Sequence, residues 1–452
     1  MKALFGTDGI RGEAGKFPLD RETVDRIGFS LASHLRRASA RAPVIVIGRD
    51  TRESGEWLAQ ALIQGATKAG AQCHVAGVIT TPGVAFLTGS LGADAGVVIS
   101  ASHNPYHDNG IKVFAPSGKK LDDSIERIIE SDILAQTNEA DLADTSGSVG
   151  PASEPTELQE RYLRFLSDEI ARDLSLSGLR IVVDCANGAS SRLAPRLFER
   201  LGASVLAINA EPDGQNINLN CGSLHIESLQ ERTLQERADL GVAFDGDADR
   251  ALFVDAEGSF VDGDATLWVL ARDLKARGEL SDNTVVATVM SNIGLEIALR
   301  SEGLLLVRTD VGDKYVLEEL LRLGASLGGE QSGHVILPAL SLAGDGMITA
   351  LCLIRAMRHS SKSLAQLTNG FQRYPQVLIN VRVTEKRPFS DLPSVVTAVR
   401  YVEEKLGENG RLLLRYSGTE PLARIMIEGQ NQAEIEALAD QIASSIKAEI
   451  GL

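Results

Sequence analysis

Short apolar runs that read as buried strands alternate along this chain with longer stretches of helical period. Residues 43–48, PVIVIG, form one such run, closed by polar Arg49-Asp50-Thr51-Arg52. Trp57, Leu58, Ala61, Leu62 and Ala66 then recur at helical spacing, with Ser54 as the expected cap. After Gly70-Ala71 another strand is expected over 72–75. The same strand–turn–helix–glycine–strand order returns at 179–208 and at 284–307, which predicts three related α/β domains. Residues 21–37 predict a helix through Val24, Ile27, Leu31 and Leu35, and the glycine-rich stretch 4–12 predicts a loop. Beyond residue 375 the pattern becomes strand (377–383), helix (391–406), two strands (411–415 and 424–427) and a last helix. The last helix carries the core stripe Ile435, Leu438, Ile442, Ile446 and Ile450.

Boundaries follow from composition. Residues 144–156, DTSGSVGPASEPT, are small, polar and rich in Pro and Gly, as linkers are. Further boundaries are expected near Glu257-Gly258 and between Phe371 and Pro375. With 452 residues the chain is long enough for three or four domains, and 44% hydrophobic content suits packed cores. The balance of 45 basic to 61 acidic residues, a net charge of −16, argues against nucleic acid or an anionic membrane as a partner. Cys73, Cys185, Cys221 and Cys352 have neither metal-ligand spacing nor the look of a disulfide framework. That points to a reducing, cytoplasmic setting. The N-terminal MKALFGTDGIRG has no apolar signal core, and no run has the length of a membrane span.

Four stretches carry candidate chemistry. The apolar run Val97-Val98-Ile99 stops at Ser100-Ala101-Ser102-His103-Asn104-Pro105, with a second turn expected at Asn109-Gly110 before Lys112. Ser102 at such a strand edge is a nucleophile, a phosphate carrier or a turn residue. Residues 245–250, DGDADR, follow the apolar run 240–244. Carboxylates at Asp245, Asp247 and Asp249 converging on one point need a cation, and oxygen-only ligands favour Mg2+ over Zn2+. The bland reading is an acidic surface turn. Residues 328–334, GGEQSGH, offer Glu330, Ser332 and His334 to sugar hydroxyls or an amino group, or form a plain turn. Arg415-Tyr416-Ser417-Gly418-Thr419-Glu420, with Arg424 downstream, reads as a phosphate cradle or a polar hairpin.

The order of these stretches resembles the α-D-phosphohexomutase family over essentially the whole chain. The resemblance is carried by FGTDGIRG at 5–12, ISASHNP at 99–105, DGDADR at 245–250, GEQSGHVI at 329–336 and the cradle near 417. DGQNIN at 213–218 with Cys221-Gly222-Ser223, TDVGD at 309–313 and GDG at 344–346 add to it and are similar to the amino-sugar branch. The family implies three related α/β domains with mixed, mostly parallel sheets and a C-terminal α+β domain around a central cleft. The limits are then 1–153 for a phosphoserine domain, 154–257 for metal, 258–371 for sugar and 372–452 for phosphate. It implies a phosphorylated Ser102, one Mg2+ per subunit on Asp245, Asp247, Asp249 and the Ser102 phosphate, and a sugar bisphosphate intermediate. Arg11 and Arg250 are then expected at the transferring phosphoryl group, and Lys112 and His103 at proton transfer. Glu330, Ser332 and His334 would read the sugar, and Arg415, Ser417, Gly418, Thr419 and Arg424 its phosphate. The expected reaction exchanges glucosamine 6-phosphate with glucosamine 1-phosphate, in a monomer or homodimer acting on a phosphosugar. Alternatives are a mutase of neutral hexose phosphates, a non-catalytic phosphosugar-binding protein and a metal-dependent phosphatase.

Two positions depart from the family pattern. Ala248 stands where glycine is usual, and its methyl is tolerable if the backbone there does not need positive φ. Lys314 stands where this branch has arginine, which keeps charge but loses bidentate geometry.

Overall fold

The computed structural model describes residues 4–6, 8–39, 41–135, 154–417 and 420–452. The expected linker over 144–156 lies outside them as far as residue 153, as do Thr7, Gly418 and Thr419. The chain divides into two compact units, Met1–Val289 with Val307–Asn369, and Met290–Leu306 with Gly370–Leu452.

The first sheet of the larger unit contains β1 (Phe5–Gly6), β2 (Gly9–Glu13), β3 (Val44–Arg49), β4 (Gln72–Val78), β5 (Ala95–Ile99) and β6 (Asp108–Phe114). Their order is β1-β2-β6-β5-β3-β4. Helices α1 (Arg21–Ser39), α2 (Gly55–Lys68), α3 (Thr81–Ser90) and α4 (Asp123–Leu134) accompany it. β3 pairs in parallel with β4 and β5, whereas β6 runs antiparallel to β5 and β2. The loop expected over 4–12 therefore gives way to β1 and β2. Phe5 and Ile10 face the core, and that burial draws the glycine-rich segment into an edge hairpin. Asn109-Gly110 likewise lies inside β6 rather than at a turn, because Gly110 pairs with Arg11 across the sheet. Ser54 does not cap α2 with its side chain; its hydroxyl accepts from Asn109 Nδ2 at 2.8 Å.

The second sheet repeats the plan. Helix α5 (Pro155–Arg164) leads into β7 (Arg180–Asp184), α6 (Leu193–Arg200), β8 (Ser204–Ile208), α7 (Glu227–Gln235), β9 (Leu240–Phe244), β10 (Ala251–Asp255) and β11 (Phe260–Val261). The order is β11-β10-β9-β7-β8, with β7 parallel to β8 and β9, and β10 antiparallel to β9. The boundary expected at Glu257-Gly258 falls on the turn between β10 and β11, so this sheet extends to Val261.

The third segment runs α8 (Gly263–Ala276), β12 (Thr284–Thr288), α9 (Ile293–Ser301), β13 (Leu305–Thr309), α10 (Asp313–Leu323), β14 (Gly328–Gly329), β15 (Val335–Ile336), α11 (Gly346–Ser360) and α12 (Leu364–Thr368). Its sheet order is β13-β12-β14-β15, with β14 parallel to β12 and antiparallel to β15. The sheets are mixed, as expected, with antiparallel strands extending one side of each parallel set.

The smaller unit holds α9 together with β16 (Gln376–Arg382), α13 (Pro393–Leu406), β17 (Arg411–Tyr416), β18 (Leu422–Glu428) and α14 (Gln432–Ile450). Its antiparallel sheet, β16-β18-β17, shares a core with α13 and the predicted α14 stripe, all of whose residues are buried. Glu428, fully buried, ties α9 to this sheet by accepting from Ile293 N at 3.0 Å and Arg411 Nε at 3.0 Å. All four cysteines are free and buried, and no described helix is long and apolar enough to cross a membrane.

Helices α1 and α2 meet backbone to backbone through two glycines. A Cβ on Gly65 would sit 1.7 Å from Asp25 O, and one on Gly28 would sit 2.1 Å from Leu62 O. Gly65→Ala is expected to lower the thermal unfolding midpoint. Its overpacking cost of about 3 kcal/mol exceeds the gain of about 1 kcal/mol in helix propensity. An unchanged or raised midpoint contradicts this packing.

Candidate active site

Three loops occupy the same topological place in the three α/β sheets. Each follows a strand with a parallel neighbour and leads into an antiparallel one. Ser102 lies between β5 and β6, the aspartate loop between β9 and β10, and Glu330–His334 between β14 and β15.

Ser102 is 1% exposed and has φ 53, a left-handed conformation that costs a non-glycine residue energy. Its neighbours hold it there. Its N–H donates to Ser100 Oγ at 2.9 Å, and its carbonyl accepts from Arg52 Nη2 at 3.2 Å and Asn218 Nδ2 at 2.9 Å. Arg52 is itself paired with buried Asp50. The Ser102 hydroxyl donates to Asp245 Oδ2 at 2.6 Å and lies 3.3 Å from His103 Nδ1. The aspartate loop packs directly on this backbone, since a Cβ on Gly246 would stand 2.5 Å from Ser102 O.

Asp245, Asp247 and Asp249 are all buried, with one oxygen of each within 4.8 Å of the others. Lys112, 2% exposed, answers this charge. Its Nζ lies 3.0 Å from Asp247, 3.2 Å from Asp8 and 3.5 Å from Asp249. Burial works against the ammonium, yet Asp247, Asp8 and Asp249 outweigh it and hold its pKa well above the ordinary lysine value. For Asp245, burial, then Asp249 and Asp247, push the carboxyl well up. Burial also opposes the charge on Asp249, but Lys112 and His334 override it and keep that carboxyl well below its usual range.

Asp247 Oδ1 and Asp249 Oδ1 are buried without a hydrogen-bond partner among the described residues. Buried carboxylate oxygens that accept no hydrogen bond, at a point where three carboxylates meet, fit a hard divalent cation. The surface-turn reading fails on burial alone.

His103 and His334 are tuned in opposite directions. Burial, then Arg250 and Arg11, lower His103 to about 4, so its imidazole is neutral at pH 7. His334 rises to about 9, because Asp249 and Asp313 overcome its burial. Its Nδ1 lies 3.7 Å from Asp249 and its Nε2 3.9 Å from Asp313. Arg11 pairs with Asp8 and donates to Asn104 Oδ1 at 3.4 Å. Arg250 is half-buried beside Asp245, Asp249 and Glu330, which raise its pKa against the penalty of burial. Glu330 accepts from Gly312 N at 3.2 Å and Ser332 Oγ at 3.4 Å.

In the smaller unit, Ser417 is buried and accepts from Glu420 N at 3.3 Å and Arg424 Nη2 at 3.4 Å. Arg415 and Arg424 stand directly opposite each other on β17 and β18. Like charges in that register repel, and an anion between them relieves the repulsion.

Ala248 has φ 55, so the condition for its easy tolerance is not met. Left-handed backbone costs alanine roughly 1–2 kcal/mol. Its N–H donates to Asp245 O at 3.1 Å, and its carbonyl accepts from Gly346 N at 3.1 Å, which hold it there. Lys314 reaches Asp123 at 2.5 Å rather than any residue of the aspartate loop.

Sequence reasoning gave no role to Asp8, Lys120 or Asp313. Lys120 bridges the other two at 2.7 Å each. Asp8 and Asp313 sit inside motifs already singled out, whereas Lys120, in a plain Ser-Gly-Lys-Lys turn, carried no signal.

A buried serine hydroxyl beside three buried aspartates suits phosphoryl transfer, and comparison with known proteins agrees. "Phosphoglucomutase/phosphomannomutase, alpha/beta/alpha domain I" matches residues 2–140, domain II 160–258, domain III 262–374 and the C-terminal domain 378–445. The chain belongs to the phosphoglucomutase/phosphomannomutase family. It is 53% identical over 450 residues to a phosphoglucosamine mutase of Solibacter usitatus, covering 100% of this chain and 99% of that one. A phosphoglucosamine mutase of Rhodococcus jostii is 49% identical over 447 residues, covering 99% of each. Among solved structures, a phosphoglucomutase/phosphomannomutase family protein from Burkholderia thailandensis matches with TM-score 0.80 at 24% identity over 100% of both chains. An N-acetylglucosamine-phosphate mutase matches with TM-score 0.62 at 16% identity, over 99% of this chain and 97% of that one.

Gly246→Ala is expected to push the Ser102 carbonyl away and misplace its hydroxyl. Mutase turnover should fall about 100-fold, the cost of roughly 1 Å of misalignment. A folded variant with wild-type turnover contradicts the contact.

Proposed function

We propose that this enzyme is a phosphoglucosamine mutase that interconverts glucosamine 6-phosphate and glucosamine 1-phosphate through phosphorylated Ser102. The observation that carries the reading is the buried Ser102 hydroxyl, 2.6 Å from Asp245 in a cluster of three aspartates, in a chain whose full-length relatives carry that activity in their names. The phosphoserine Oγ–P bond breaks as a new P–O bond forms to the free sugar hydroxyl, whose proton passes to a base. The resulting bisphosphorylated sugar turns over, and its other phosphoryl group returns to Ser102 by the reverse step.

His103, neutral and 3.3 Å from Ser102 Oγ, is the better proton acceptor. Lys112, held as an ammonium among Asp8, Asp247 and Asp249, is better suited to steady charge on the moving phosphoryl group. Arg11 and Arg250 flank it. Asp245, Asp247 and Asp249 would hold one Mg2+, which neutralises charge developing on the phosphate when bound. Glu330, Ser332 and His334 are assigned to the sugar, and Arg415, Ser417, Gly418, Thr419 and Arg424 to the phosphate not being transferred. Domain limits of 1–153, 154–261, 262–371 and 372–452 divide these tasks, the second carried from 257 to Val261 because β11 pairs with β10. The setting is cytoplasmic, with a phosphosugar as partner rather than nucleic acid or membrane, in a monomer or homodimer.

Intact mass before and after phosphatase treatment is expected to differ by one phosphoryl group in wild type and not in Ser102→Ala, which should lose at least about 10⁴-fold in turnover. Fully active wild type that never carries phosphate overturns the mechanism. EDTA should abolish activity and Mg2+ restore it; activity indifferent to chelation removes the cation. A coupled assay across glucosamine, glucose and mannose phosphates should favour glucosamine. Equal or higher turnover on a neutral hexose phosphate overturns the substrate assignment.

A further inference from the structure

The aspartate loop is gripped from the first domain by a residue outside every motif above. Thr81 opens α3, with Thr80 as its N-cap. The Thr81 N–H donates to Asp247 O at 3.0 Å, and its hydroxyl donates to Asp247 Oδ2 at 2.7 Å. Lys112 Nζ donates to the same oxygen at 3.0 Å. Thr81 is 3% exposed and Asp247 is fully buried, so water does not compete for these bonds. Two donors on Oδ2 fix the carboxylate plane and leave Oδ1, buried and without a hydrogen-bond partner, as the free ligand atom.

We propose that Thr81 is a positioning residue for the cation site: its hydroxyl orients Asp247 so that Oδ1 faces the ion. The proposal rests on the reading of Asp245, Asp247 and Asp249 as a divalent-cation site. A carboxylate able to rotate about its terminal torsion gives up affinity when the outer donor is removed, even though every ligand remains. Lys112 alone does not replace that donor. It is drawn also toward Asp8 and Asp249, and a point charge tolerates many carboxylate orientations. The cation affinity of the second domain is thereby set in part by the first.

The test is a titration of full-length, chelator-stripped protein with Mn2+, following free ion by electron paramagnetic resonance, beside Mg2+ activation curves. Thr81→Val keeps size and loses the donor; its Mn2+ Kd should rise roughly 10–100-fold, with turnover recovering at high Mg2+. Thr81→Ser, which keeps the hydroxyl, should bind Mn2+ like wild type. A Thr81→Val protein that binds Mn2+ as tightly as wild type overturns the proposal, whatever its thermal midpoint. So does a turnover defect that raised Mg2+ does not relieve. If Thr81→Val does not fold, Thr81→Cys, with only a weak donor, takes its place under the same criteria. Wild-type protein that fails to bind Mn2+ overturns the cation site itself and is thereby told apart from failure at Thr81.

Discussion

Three carboxylates within 4.8 Å of one another, all withdrawn from water, are the constraint on which the rest of this structure depends. Two unit charges about 4 Å apart repel by about 4 kcal/mol at the effective dielectric of a protein. The fold pays for that repulsion with Lys112, itself buried, and with Arg250 and His334 at the margins. Arg250 belongs to the aspartate loop itself, whereas the other two come from other sheets. Lys112 comes from β6 of the first sheet and His334 from the loop after β14 of the third. The charge cluster therefore needs three sheets in place before it is bearable.

The topology explains how three separate sheets deliver to one point. In each, a parallel pair is followed by a strand whose neighbour turns antiparallel, and the connecting loop emerges at the carboxyl end of the central strand. Open α/β sheets gather ligand chemistry at that edge. The serine loop, the aspartate loop and the Glu330–His334 loop are one architectural solution used three times with different side chains. Contacts made by these loops are backbone contacts as much as side-chain ones. Gly246 lies against Ser102, Gly346 N–H bonds Ala248 O, and Thr81 N–H bonds Asp247 O.

Strained backbone is present in the same place. Ser102 and Ala248 both adopt left-handed backbone, and neither is glycine. Each is over-determined by hydrogen bonds from other elements, which is how a folded chain sustains such conformations. The two histidines show the same dependence on surroundings. Burial, then Arg250 and Arg11, keep His103 neutral, whereas Asp249 and Asp313 overcome burial and keep His334 charged.

By itself the sequence determined the repeated strand–helix–strand units, the α14 stripe and the motifs that hold Ser102, Asp245, Asp247, Asp249 and His334. All of these are local: hydrophobic period and residue type suffice to read them. The glycine-rich segment 4–12 misled, because its place in a sheet depends on β6, about a hundred residues away. Only the tertiary structure decided that Lys112 is an ammonium caged by carboxylates, that Ala248 needs positive φ, and that Lys120 and Thr81 belong near the site. The reason is physical. Coulomb interaction and burial act between groups close in space, and the pairs that matter here, Thr81 with Asp247 and Lys112 with Asp247, lie 166 and 135 residues apart in the chain.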